Sequence, residues 1–257
     1  MNAIITIFKK ETKAYFTSPG IYIIAFLVAV MFSWTYPLQL NMFTQLLSNY
    51  VMQQGMQQNQ LNIHYGLFMR QLSYLNLMLI FAVPAFTMKL FSEEKKMRTL
   101  DLLLTSPLTS TEIVLGKFFS ALMPVLAMTI LAMSYPMVSV TFASFNWSLL
   151  LIAFFSIFLV GSVYVAMDLF ASSLTENMLV SYVLSLILNV SIWFVGMGVE
   201  AVDSASARQF FEHISLNAHL ANLVEGTIRS PGIVFIFSLI SLFVFLTERV
   251  LEASRWR

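Results

Sequence analysis

Two adjacent carboxylates, Glu93 and Glu94, with Arg98 four residues beyond the second, are the densest cluster of chemistry in this chain. Further on, His213 is followed by Asn217 at the same spacing of four. Paired carboxylates and a histidine can activate water for hydrolysis, provided they reach within ~3 Å of the reacting atoms. Met52, Met56 and His64 offer soft sulfur and imidazole donors of the kind that hold Cu(I). In a chain with 16 Met, scattered methionines are better read as packing residues, so no metal site is expected. Asp168 lies inside an apolar run, where a carboxylate must be paired or wetted. Pairing with Lys89 or Lys117, or contact with water, is expected in preference to a proton relay, since no second carboxylate or histidine lies within the apolar runs. Cysteine is absent, which removes disulfides and thiolate sites. The chain also lacks a G-x-x-x-x-G-K-S/T phosphate loop, so it has no ATP site of the usual kind.

The elements that position these residues are membrane helices. The 257 residues are 58% hydrophobic and 11% charged, with a mean hydropathy of +0.80; soluble domains carry about 25% charged residues. A net charge of +1 gives no basis for nucleic-acid binding. Runs of about 20 apolar residues mark the spans. They run from Gly20 to Leu40, over a core from Tyr74 to Met88 that extends back toward Arg70, and from Glu112 past Lys117 to Val140. The remaining three cover Trp147 to Ala171, Met178 to Val199 and Pro231 to Leu246. The predicted fold is therefore all-α and polytopic, with about six transmembrane helices. Lys9, Lys10 and Lys13 precede a long apolar run with no small-residue cleavage site, so no cleavable signal is expected. With both ends inside, the cytoplasmic face collects Lys9, Lys10, Lys13, Lys89, Lys95, Lys96, Arg98, Lys117, Arg249, Arg255 and Arg257, leaving only Arg70, Arg208 and Arg229 of the 14 basic residues outside. That asymmetry predicts cytoplasmic termini.

Residues 1–18 read as an interfacial helix. Ile4, Ile7, Phe8 and Tyr15 share one arc and the three lysines lie opposite, before Ser18-Pro19-Gly20 breaks the helix. Glu11 falls on the apolar side, where a local pairing is expected. Between spans two and three, residues 91–108 predict a short amphipathic helix. Ser92 would cap it, Glu94 and Arg98 would pair at i,i+4, Met97, Leu100 and Leu104 would form its apolar stripe, and Pro107 would stop it. Thr109 and Glu112 read as a capping box that opens span three.

The order Glu93-Glu94, Arg98-Thr99-Leu100, Leu103-Leu104-Thr105-Ser106-Pro107-Leu108 and Glu112-Ile113-Val114-Leu115-Gly116-Lys117 resembles the cytoplasmic loop of ABC-2-type transporter permeases. The likeness extends to Phe8–Phe16, to Ser172–Asn177 and to the ending Phe245–Trp256, which is most similar to the gliding-motility-associated branch. It implies a membrane subunit of an ATP-driven machine in the bacterial cytoplasmic membrane, with no catalytic, cofactor or metal site of its own. ATP and Mg would be held by a separate ABC ATPase subunit. It further implies that the loop after span two is a coupling helix, with Glu93, Glu94, Met97, Arg98, Leu100, Leu104 and Pro107 at the ATPase contact. Thr175, Glu176 and Asn177 would make a second contact. Met97, Leu100 and Leu104 would enter the partner's socket, while Glu93, Glu94 and Arg98 set orientation. A second permease copy, or a different membrane subunit, would complete the bundle.

Glu93-Glu94-x-x-x-Arg98 and His213-x-x-x-Asn217 also match motifs of intramembrane CAAX-type proteases. The predicted topology puts the two motifs on opposite faces of a ~30 Å bilayer, and Gln209 stands where an aromatic residue should precede the histidine. A transporter or membrane anchor not driven by ATP is the other alternative. Outside the membrane, residues 41–69 predict a Gln- and Met-rich loop with some helix. Residues 200–230 predict short interfacial helices carrying Phe210, Phe211, Ile214 and Leu216, with Ser206 and Gln209 as a possible capping box. Pro84, Pro124 and Pro136 could kink spans two and three, while Gly161, Gly196 and Gly198 could admit close helix contacts.

Overall fold

The structure is a computed structural model that describes residues 2–52, 64–138, 146–196, 204–224 and 230–255. All regular structure among these residues is helical, and six helical rods are long and apolar enough to cross a membrane. The protein is an all-α polytopic membrane protein.

Helix α1 (Asn2–Thr17) lies across α6 (Ser110–Val138). The crossing is close because Gly116 has no side chain: a Cβ there would stand 2.8 Å from Ile7 Cγ2. Ile7 and Tyr15 are buried, whereas Ile5 and Phe16 stay exposed on the flank. Ser18 alone interrupts the chain before α2 (Pro19–Met52). Proline is tolerated at the first helical position, where its missing N–H is not needed.

α2 has 34 residues, about 51 Å at ~1.5 Å per residue. The sequence reading ended this span near Leu40, and the helix in fact continues a further three turns. No glycine or proline lies between residues 41 and 52, so nothing local stops it. Its extension is held by Phe43, whose ring packs on Gly66 in the π-helical turn His64–Phe68; a Cβ at Gly66 would be 2.5 Å from that ring. The side chains of Met52, Met56 and His64 lie outside the described residues.

α3 (Met69–Thr87) and α4 (Lys89–Lys96) form one rod with a bend at Met88, one turn after Pro84. α5 (Thr99–Thr105) follows across Met97 and Arg98. α7 (Trp147–Leu174) is the central helix, packed on α3, α6 and α8 (Met178–Val195). It approaches α6 closely at Gly161, where a Cβ would meet Val125 Cγ1 at 2.6 Å. Asn146 and Asn177 cap α7 and α8 by accepting the N–H of Ser148 and Leu179. Two short helices, α9 (Ala205–Ile214) and α10 (Leu216–Val224), precede α11 (Ser230–Arg255). α9 starts at Ala205, so Ser206 lies inside the helix and not at its cap. The cap that the sequence reading missed is Ser215, whose Oγ accepts the N–H of Ala218 to open α10. Leu216, Leu220 and Leu223 of α10 are buried in the bundle.

Candidate functional site

One end of the bundle gathers α1, the α4–α5 segment, the starts of α6 and α8 and the end of α11. At its centre is Lys117, seven residues into α6, with a side chain only 2% exposed. An ammonium has three N–H donors, and all three are used. They reach Glu94 Oε1 at 2.8 Å, Glu11 Oε1 at 3.2 Å and the Leu90 carbonyl at 2.8 Å. The ammonium also stands 5.2 Å from the centre of the Phe91 ring. Lys10 approaches Glu11 from the solvent side at 3.7 Å. Glu11, the acid on the apolar face of α1, is therefore paired, and it ties α1 to α6 and α4.

Beside this triad a cleft of about 320 Å³ opens between α1 and the α4–α5 segment, with Lys10, Tyr15, Lys89, Glu93, Met97 and Leu103 among its walls. Burial first, and then the Glu11 carboxylate, push the Tyr15 phenol well above its ordinary value. The phenol is therefore neutral at physiological pH.

The α4–α5 segment departs from the single helix expected between Ser92 and Pro107. Ser92 lies inside α4, and its hydroxyl turns back to the Met88 carbonyl instead of capping. The helix ends at Met97, whose N–H bonds the Glu93 carbonyl at 2.9 Å. Arg98 then takes the left-handed conformation (φ 56°), a position usually held by glycine. The expected Glu94–Arg98 pair is replaced by Glu94–Lys117. A buried ammonium that must be neutralised outcompetes a solvated i,i+4 pair worth about 0.2–0.5 kcal/mol.

The break at Arg98 also divides the expected apolar stripe. Leu100 and Leu104 are 3% and 6% exposed and pack on this chain's own bundle, whereas Met97 is 66% exposed. Leu102, which the stripe omitted, is 71% exposed. Arg98 and Pro107 are exposed, and Glu93 is half-buried at the cleft. Arg255, near the end of α11, holds the segment from beneath, donating to the Leu104 carbonyl at 3.0 Å and the Leu108 carbonyl at 2.8 Å. The capping box forms as read: Glu112 N–H reaches Thr109 Oγ1 at 3.2 Å and Thr109 N–H reaches Glu112 Oε2 at 3.1 Å.

The second loop lies at the same end. Thr175 is half-buried and its hydroxyl accepts the N–H of Asn177, while Glu176 and Asn177 are exposed. Just before it, Ser172 is fully buried against the bend at Met88. Its hydroxyl accepts the N–H groups of Phe91 and Ser92, at 3.0 and 3.2 Å, and donates to the Met88 carbonyl at 3.0 Å. Lys95 donates to the Ser173 carbonyl.

Asp168 pairs with neither Lys89 nor Lys117, which corrects the expectation from sequence. Lys117 is fully engaged, and Lys89 sits over the Tyr15 ring at 6.0 Å. The carboxylate instead meets the Thr87 hydroxyl at 3.0 Å and is fully buried.

The hydrolytic constellation is not assembled. Asn217 lines a separate cavity with Arg70 and Asn76 near the start of α3, whereas Glu93 and Glu94 lie beyond its end. Asn217 is held by Asn76, and the α3–α4 rod from Asn76 to Glu93 is about 26 Å long at ~1.5 Å per residue.

A bundle of six apolar rods, with a pinned segment at one end beside the amphipathic helix α1, defines a polytopic membrane subunit. The chain matches the family model described as ABC-2 family transporter protein over residues 5–250, and it belongs to that family. It is a permease-type subunit of an ABC transporter. A comparison with curated proteins returned no match.

Proposed function

We propose that this permease couples ATP hydrolysis in a separate ABC ATPase subunit to export, or to force transmission, across a bacterial cytoplasmic membrane. The excess of Lys and Arg at the end that carries α1 and the α4–α5 segment supports a cytoplasmic position for that end, with both termini inside. ATP and Mg belong to the partner. The whole chain acts as one transmembrane unit beside a second copy or a different membrane subunit.

The observation that carries the reading is an exposed apolar pair, Met97 and Leu102, on a segment fixed to the bundle by Lys117, Ser172 and Arg255. Exposed apolar side chains on a rigid mount suit a partner's groove, and the mount carries the partner's displacement into α6, α7 and α11. Glu93, Arg98 and Pro107 are the rim of that contact, and Thr175–Asn177 its second point. Leu100 and Leu104 support the segment from within.

The test is co-purification of the tagged protein from native membranes, followed by an ATPase assay, comparing wild type with a Met97→Asp/Leu102→Asp variant. A stoichiometric ATPase in the wild type, lost or uncoupled in the variant at unchanged melting temperature, is the expected result. Absence of any nucleotide-binding partner in the wild type would sink the reading. Leu100→Asp is the wrong probe, because it buries a charge in the permease itself.

A further inference from the structure

α8 is built inside out. Leu179, Val180, Val183, Ile187 and Phe194 face outward, while the side chains it buries completely are Ser181, Ser185 and Asn189. These three recur every four residues and so form a polar file on one face, about 6 Å apart along the axis. The file starts one turn inside the Asn177 cap and runs into the membrane. It faces α3 and α7, where Asp168 and Thr87 are also fully buried.

The file is unsatisfied. The hydroxyls of Ser181 and Ser185, both amide atoms of Asn189 and Asp168 Oδ1 are buried without a hydrogen-bond partner. Ser185 and Asn189 are nonetheless close enough to the carboxylate to interact with it. Buried polar atoms are normally bonded, so five unbonded ones along one buried face call for a partner. Thr87 does not resolve the charge. Its one hydroxyl hydrogen faces two acceptors, the Val83 carbonyl at 2.8 Å and Asp168 Oδ2 at 3.0 Å.

Among the described residues no side-chain ammonium or guanidinium is paired with Asp168. Lys89 covers Tyr15, Lys95 binds the Ser173 carbonyl and Lys117 is held by Glu11 and Glu94. On α11, Arg249 pairs with Glu252 and Glu248 accepts from Thr111. Tyr164, one turn deeper on α7, donates to Asn76. The available ligands are all hard oxygens: one carboxylate, two hydroxyls and an amide carbonyl. Among the described residues no cluster of three acidic or histidine groups exists to favour a divalent ion.

We infer that Asp168, Thr87, Ser185 and Asn189 form a binding site for a single monovalent alkali cation. One ion of charge +1 neutralises the carboxylate and supplies the partner that the oxygens lack. The inference does not use the ATPase reading and stands or falls separately from it.

The test uses the purified full-length protein in detergent. Binding of 22Na+ is measured by scintillation proximity, and melting temperature is followed from pH 6 to 9 in sodium, potassium or N-methylglucamine chloride at one ionic strength. Expected is saturable 22Na+ binding at one ion per chain, abolished in Asp168→Asn and weakened about tenfold in Asn189→Leu or Ser185→Ala. The wild type should also melt higher in the salt of the bound ion than in N-methylglucamine chloride, and Asp168→Asn should remove that difference. The proposal is overturned if no sodium binds and the melting temperature is the same in all three salts. Should Asp168→Asn fail to fold, Asn189→Leu and Ser185→Ala make the same comparison without touching the charge.

Discussion

Lys117 and Asp168 are both fully buried charges at the same end of the bundle, on adjacent helices, yet their surroundings are opposite. Every Lys117 proton has an acceptor, and its charge is met by two carboxylates. Asp168 has one hydroxyl and a set of unbonded neighbours. A closed cluster of this kind specifies how three helices sit together, and it has no vacancy for a ligand. An open one contributes little to that and is where a small ion finds its partners. Burial of a charge is therefore a poor guide to its role until the bonds around it are counted.

The largest effect should come from opening the closed cluster. Lys117→Met leaves Glu11 and Glu94 facing each other at 15% and 18% exposure, and should lower stability by about 3–5 kcal/mol, read as melting temperature in detergent. Adding Glu11→Gln and Glu94→Gln should restore most of the loss, and a triple variant as unstable as the single one would refute the charge argument. Next in size is Gly116→Val, which drives side-chain atoms into Ile7 and should cost about 1–3 kcal/mol. Faster tryptic cleavage at Lys9, Lys10 and Lys13, with the spans still intact, would show that α1 has come away. Smallest is Arg98→Gly, which removes a left-handed strain of about 1–2 kcal/mol and should raise the melting temperature. A fall in stability would mean that the arginine side chain contributes more than its backbone costs.

Much of this was legible in the sequence. The six spans follow from apolar run length, and the Thr109–Glu112 box from chemistry confined to four residues. The contacts of Lys117 were not readable, because its partners lie 106 and 23 residues away. Two signals pointed there all the same: a lysine within a span and an acid on the wrong face of α1. Pairing each misplaced charge with the other would have found the cluster. The break at Arg98 left no signal, since arginine has no preference for positive φ and the apolar spacing continued across it. That one backbone residue moved Leu100 and Leu104 from the surface to the interior and brought Leu102 out. Asp168 was recognisable as an anomaly, but the polar face of α8 was hidden by the apolar residues between its members.

Ser172 has a mechanical consequence. A helix bent at Met88 would leave backbone N–H groups without acceptors, and here one hydroxyl from α7 serves two of them and returns a proton to the Met88 carbonyl. The joint thus has a pivot that belongs to another rod. One small side chain of α7 therefore carries the hydrogen bonds that the α3–α4 ladder gives up at Met88.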